Sequence, residues 1–280
     1  MSNGAENSPR DTGHDIRLLL ADVDGTLLNS ARALTPSTIR VARTLRERGI
    51  ALAITSSRPP RGLLQFIQDL DIVTPTGAFN GGEFVKPDLT VLSQTLISAD
   101  LARETVALMG EKGLDVWVYS GDEWYVPHLD GPHVAREATT VRFKPKVAES
   151  YEPVMDRVVK IVGVTDAPGM MAAAEEAVRS RFGALVAASR SQTYYLDVTH
   201  PDANKGAVLA WLSAYMDIPA ETIATIGDGH NDILMFRRSG LSIAMGNASP
   251  EVKGEAMAVT ASNDEDGFAR GVEVHILSKR

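Results

Sequence analysis

No cysteine occurs among the 280 residues. That excludes disulfides, thiolate metal sites and cysteine nucleophiles, and it fits a cytoplasmic protein. No apolar run approaches the roughly 18 residues that a membrane-spanning helix needs, so no membrane partner is expected. Acidic residues outnumber basic ones, 36 to 28, for a net charge of −8, and no dense Lys/Arg stripe breaks that balance. Nucleic acid is therefore not an expected partner, because its binding rests on phosphate neutralisation. Of six histidines only His128 and His133 fall in the middle region, which leaves no case for a histidine metal site. Internal repeats, low-complexity stretches and Pro/Gly/Ser-rich linkers are also missing, which argues against tandem domains.

What is present is more telling. A hydrophobic content of 44% supports a substantial core and two domains. The opening MSNGAENSPRDTGHD is polar, lacks an apolar signal core and reads as a flexible tail over 1–15. Beyond it, four acidic residues stand in two short loops: Asp22 and Asp24 in DVDGTLL, Asp228 and Asp232 in GDGHND. Each pair follows an apolar, strand-like run, 16–21 in one case and 222–226 in the other. If the runs are neighbouring parallel strands, both loops open at the carboxyl edge of the sheet, where open α/β sheets keep their active sites. Clustered carboxylates repel unless something positive holds them, and hard oxygen ligands suit Mg²⁺. The pattern implies a magnesium site serving an anionic substrate.

Strands and helices alternate at both ends of the chain. Thr35-Pro36 supplies a cap and a first-turn proline for a helix closed by Gly49. Residues 50–54 form a continuous apolar run, as in a strand covered on both faces. A helix is expected near 61–70, a short strand at 72–74 and turns over 76–82. From about 83 to 190 the texture changes, with strands at 114–119, 124–126 and 160–164 and helices at 99–112 and 168–182. The α/β rhythm resumes with a strand at 193–198, a helix at 205–216 and strands at 223–226 and 241–245. The expected fold is α/β, a doubly wound parallel-sheet core (16–82 and 191–280) carrying an inserted α/β cap (83–190).

DVDGT, a Ser/Thr-rich strand end before Arg58-Pro59, Asn204-Lys205-Gly206 and GDGHND stand in an order that resembles the haloacid dehalogenase superfamily of aspartate-based phosphotransferases. The chain looks most like its Cof-type branch, whose cap lies between the second and third motifs. The resemblance covers nearly everything from Ile16 onward and is carried by the core motifs. It implies that Asp22 is the nucleophile and that Asp24 is the general acid/base, meeting the metal through its backbone carbonyl. A carboxylate attacking phosphorus splits one hard displacement into two easier ones, and a second carboxyl can shuttle the proton. Gly25 permits the tight turn and Thr26 offers a hydroxyl to brace the two aspartates.

Ser56 aligns with the second-motif hydroxyl and would donate to a phosphate oxygen, helped by the Ser57 N–H; Thr55 is the competing assignment. Lys205 matches the third motif, and its place at a helix start, unfavourable to the dipole, points to function. Asp228 resembles the direct Mg²⁺ ligand and Asp232 one acting from behind it, while Asn231 could bond substrate phosphate or hold Asp232. Asn80-Gly81 reads either as a substrate contact or as a plain turn, and Arg58 as a substrate contact or a structural ion pair. In the cap, Trp117, Tyr119 and Trp124 at strand spacing read first as core, and Arg142, Lys144 and Lys146 alternate as on one basic strand face. The resemblance implies a Mg²⁺-dependent phosphatase for a small phosphorylated metabolite, in particular a sugar phosphate. A phosphomannomutase-like phosphomutase is the alternative enzyme, and a non-catalytic binder of phosphometabolites the alternative of another class.

Overall fold

The computed structural model describes residues 15–279; apart from Asp15, the stretch expected as a tail lies outside them. The chain divides into two compact units. The described part of the first runs over 15–55, 68–75 and 205–279, and the second comprises 56–67 and 76–204. The stretch expected as a cap, 83–190, falls wholly in the second unit, which also takes in 56–67, 76–82 and 191–204.

The first unit is built on five strands in the order Ala258–Val259, Leu241–Ala244, Ile223–Gly227, Leu18–Asp22, Ala51–Thr55, each pair parallel. The apolar runs predict this, because a parallel strand is covered on both faces. Leu18, Leu19, Leu20 and Ala21 are all fully buried. Ala21 stands opposite Ile226 and Asp22 opposite Thr55, so three strands deliver residues 22, 55 and 227 to one edge. The helix Pro36–Glu47 starts where Thr35 Oγ1 accepts from Thr38 N at 3.2 Å, and it buries Val41, Ala42 and Leu45. It packs against the helix Gly267–His275. The chain beyond the first strand is tied to that C-terminal region. Asp264 accepts from the Ser30 backbone and hydroxyl at 2.8 and 2.6 Å, and Asp266 Oδ1 accepts from Thr35 Oγ1 at 2.7 Å. The strand expected at 72–74 does not form. Thr74 spends its hydroxyl on the Leu52 carbonyl at 2.7 Å, and Pro75 has no N–H to continue a ladder.

The second unit holds an antiparallel ribbon, Thr76–Ala78, Glu83–Val85 and Val91–Gln94, where turns alone were expected. Its larger sheet has six strands in the order Ala187–Gln192, Tyr195–Thr199, Val158–Val164, Asp115–Ser120, Glu123–Val126, Lys146–Val147. Only the last pair is parallel. Val116, Val118, Ile161, Leu196 and Val198 form one apolar face under the helices Ala99–Glu111 and Pro168–Phe182. The residues between them, Trp117, Tyr119, Lys160, Tyr195 and Asp197, share the opposite face by the period of two. Arg142, Lys144 and Lys146 do not form one strand. Arg142 closes the helix Val134–Val141 in the left-handed conformation, and only Lys146 joins a strand, where it pairs with Glu123 at 3.0 Å. No helix among the described residues is long and apolar enough to cross a membrane.

Candidate active site

The two acidic loops of the first unit meet. Oxygens of Asp22, Asp228 and Asp232 lie within 4.8 Å of one another, although two of these residues stand about 200 positions from the third. Parallel register explains it, since Leu18–Asp22 and Ile223–Gly227 are adjacent strands ending at the same edge. Glycines make the approach possible. Gly25, at φ +79°, lies against the Asp228 carboxylate, and Gly227 lies against Asp232 so closely that a methyl group there would fall 2.3 Å from its carboxyl carbon.

Lys205 closes the group. Its Nζ donates to Asp22 Oδ1 at 2.5 Å and to Asp232 Oδ1 at 2.6 Å, with no side-chain surface exposed. It opens the helix Lys205–Met216, where the dipole disfavours a cation, so the carboxylates outweigh both that and the loss of water. Burial alone would depress its pKa, yet Asp22 and Asp232 hold it above the ordinary value. Burial, reinforced by Asp232 and Asp228, pushes Asp22 well above the usual carboxylate range despite Lys205. Asp228 is raised for the same reasons, burial first and Asp232 next.

Asp232 stands behind the others. Its Oδ2 accepts from the backbone N–H of Asp228 and of Gly229, at 2.9 and 2.8 Å, while Oδ1 takes Lys205. Thr26 braces a different partner from the one expected. Its hydroxyl donates to Asp228 Oδ1 at 3.1 Å, because the turn carries it across to the neighbouring loop. Asn247 also reaches the site. Its Nδ2 donates to Asp228 Oδ2 at 3.1 Å and to the Gly25 carbonyl at 2.9 Å, and its Oδ1 accepts from Asn263 N. The signal was its position in Gly246-Asn247-Ala248, directly after another parallel strand. Asp24 and Asn231 are exposed, Asp24 in the turn after the first strand and Asn231 in the 3₁₀ turn His230–Asp232; neither belongs to the carboxylate trio.

The remaining candidates gather in the second unit. Ser56 Oγ accepts from Arg58 N at 3.2 Å, which leaves its O–H to donate elsewhere. Asn80 N donates to Ser56 O at 2.7 Å and Phe79 N to Arg58 O at 3.0 Å, so the serine segment and the Asn80-Gly81 turn are one knot. Phe79 and Asn80 both take positive φ, 50° and 57°, followed by Gly81 at 100°. Ser57 presents its carbonyl to Lys160 Nζ at 3.2 Å, and Arg58 donates to Thr140 O at 2.8 Å. Thr55, the competing hydroxyl, ends its strand in the first unit, buried with no hydrogen-bond partner for Oγ1.

Comparison with known proteins bears directly on this arrangement. The family model for haloacid dehalogenase-like hydrolases matches residues 19–272. The chain belongs to that family. A Haemophilus influenzae protein with a provisional phosphatase name is 27% identical over 254 residues, spanning 90% of this chain and 95% of that protein. A Bacillus subtilis relative, 5-amino-6-(5-phospho-D-ribitylamino)uracil phosphatase, is 26% identical over 90% of this chain and 95% of its own length. Among solved structures, a haloacid dehalogenase-like hydrolase from Bacteroides thetaiotaomicron superposes with a TM-score of 0.85 at 26% identity, covering 92% of this chain and 99% of that one.

For this family member, the donor set fits a hard divalent cation. The trio offers only carboxylate oxygens, the chemistry Mg²⁺ selects. Three carboxylates against one lysine leave a formal deficit of two positive charges, which a divalent ion matches. Asp228 accepts one neutral donor on each oxygen, from Thr26 and Asn247, whereas Asp232 takes Lys205 on one oxygen and two backbone N–H groups on the other and suits a supporting place.

Proposed function

We propose that this protein is a Mg²⁺-dependent phosphatase acting on a small phosphorylated sugar or polyol through an aspartyl-phosphate intermediate. The observation that carries the reading is Lys205 bridging Asp22 and Asp232 beside Asp228. This is a nucleophile fixed by a buried cation, next to donors for a metal. The ribityl phosphate in a relative's name supports the substrate class.

In the first step an Asp22 oxygen forms a bond to phosphorus and the bond from phosphorus to the ester oxygen breaks. Asp24, exposed beside the nucleophile's turn, gives its proton to the departing alkoxide. In the second step water attacks the aspartyl phosphate at phosphorus, Asp24 takes the water proton, and inorganic phosphate leaves with the Asp22 carboxylate restored. Lys205 holds Asp22 in place and offsets charge on the transferring oxygens. Bound Mg²⁺, held by Asp22, Asp228 and the Asp24 carbonyl with Asp232 behind, would supply further charge neutralisation. Ser56 O–H and Ser57 N–H serve as the phosphate donors, with Asn80, Gly81, Arg58 and Asn231 around the substrate. The stretch 83–190 acts as a specificity cap.

The test is phosphate release from a panel of phosphorylated sugars and polyols in ¹⁸O-water, with Mg²⁺ and with EDTA. One labelled oxygen per released phosphate, lost on chelation, is the expected result. Transfer of phosphate between substrate hydroxyls without label would mark a mutase instead.

A further inference from the structure

Two charged residues interrupt strands that are otherwise apolar. Lys160 lies inside Val158–Val164, and Asp197 inside Tyr195–Thr199. Both are nearly buried, at 6% and 7% exposure, on the sheet face opposite the two long helices. Burying a charge is costly unless it is paired, and mid-sheet is an expensive place for one. The pair satisfies itself only in part. Lys160 Nζ donates to Asp197 Oδ2 at 3.3 Å and to Ser57 O at 3.2 Å, two bonds for a group that carries three donor hydrogens. Asp197 Oδ1 has no partner at all, and neither has the hydroxyl of Tyr195, two residues earlier on the same face. A fold under no further demand removes such atoms, since replacing them by apolar groups is neutral or stabilising.

We infer that Lys160, Asp197 and Tyr195 form a recognition site for adjacent hydroxyl groups of the substrate. The assignment rests on the phosphatase reading and names the feature by which that site selects. A cationic donor and a carboxylate acceptor side by side match a vicinal diol: one hydroxyl donates to Asp197 Oδ1 while its neighbour accepts from Lys160. The Tyr195 hydroxyl can give or take a third bond. The Ser57 carbonyl held by Lys160 follows directly on Ser56, a proposed phosphate donor. The diol is therefore read within a few bonds of the phosphate ester. The aromatic rings under Lys160, Phe79 at 5.7 Å and Tyr119 at 5.0 Å, give the ammonium a second attraction that keeps it in this place.

The experiment measures kcat/KM for matched pairs: ribose 5-phosphate against 2-deoxyribose 5-phosphate, and glycerol 3-phosphate against 3-hydroxypropyl phosphate. The wild-type protein should favour the diol member of at least one pair by tenfold or more, as a site built to bond a hydroxyl rejects the analogue lacking it. Asp197→Asn should bring that ratio to within about threefold of unity. Tyr195→Phe should reduce it several-fold without lowering the melting temperature, because the deleted oxygen bonds nothing in the fold. This second variant answers the question even if loss of the Lys160 partner impairs folding. A wild-type preference that survives in both variants, or no preference in either pair, overturns the inference. Absence of phosphate release from every compound would instead remove the phosphatase reading on which it rests.

Discussion

Gly25 and Asp228 are in contact across 203 positions of sequence: a methyl group at residue 25 would sit 2.3 Å from Asp228 Oδ2. The backbone there has φ +79°, a conformation that L side chains rarely adopt. Gly25→Ala therefore meets strain and collision together. Turnover should fall by at least a hundredfold and stability by about 1–3 kcal/mol, measured by steady-state kinetics and denaturant melts.

Lys205 is a buried cation bonded to two of the three carboxylates, Asp22 and Asp232. Lys205→Met removes it and leaves three carboxylates facing one another. Breaking a buried ion pair from one side costs about 3–5 kcal/mol. The variant should melt well below the wild type, and Mg²⁺ should recover part of the difference by supplying countercharge. A variant as stable as wild type without metal would show that the lysine is not compensating the acids.

Asn247 holds Asp228 and the Gly25 carbonyl at once. Asn247→Ala should leave Asp22, the proposed nucleophile, untouched and loosen Asp228, a proposed metal ligand. Partners of ligating groups are worth about 10–100-fold in metal affinity. The Mg²⁺ concentration giving half-maximal activity should rise by about tenfold, with a smaller change in the rate at saturating metal.

Glu83 predicts a pH dependence of stability separate from catalysis. It is 2% exposed, one carboxylate oxygen has no partner, and burial pushes its pKa to about 7, with Gln94 opposing and Asp122 adding to the shift. Between the ordinary value of 4.5 and 7 the folded state keeps a proton that the unfolded state has released. Stability should therefore fall as pH rises through that window and level off above it, by at most about 3 kcal/mol. Glu83→Gln should flatten the profile, as read from chemical denaturation at several pH values.

Asp22→Asn should leave the fold intact and reduce phosphate release by at least a thousandfold, since the amide cannot attack phosphorus. Rapid quench with hydroxylamine should detect a phosphoenzyme in the wild type and none in this variant.

Much of the first unit was legible because its determinants are local. Residues 18–21 and 51–54 are apolar on both faces, as a covered parallel strand requires, and Thr35-Pro36 announces its helix by capping chemistry. The acidic loops follow from those strands. The ribbon over 76–94 was not legible, because Pro75, Gly77 and Asn80-Gly81 carry turn signals and pairing partners lie outside any local window. The Thr26 bond to Asp228 and the reach of Asn247 were hidden for a related reason, since each depends on which loop register sets beside it. Lys160 and Asp197 left a visible trace, a lone charge inside each apolar strand, but their meeting depends on antiparallel register that only the fold supplies.

The enclosure of Lys205 has a thermodynamic corollary. With its ammonium already committed to Asp22 and Asp232, the three carboxylates and one lysine keep a formal negative charge, and a phosphate dianion would enter against that field. Cation and phosphoester should accordingly strengthen one another's binding by the same factor, as reciprocity between two ligands requires.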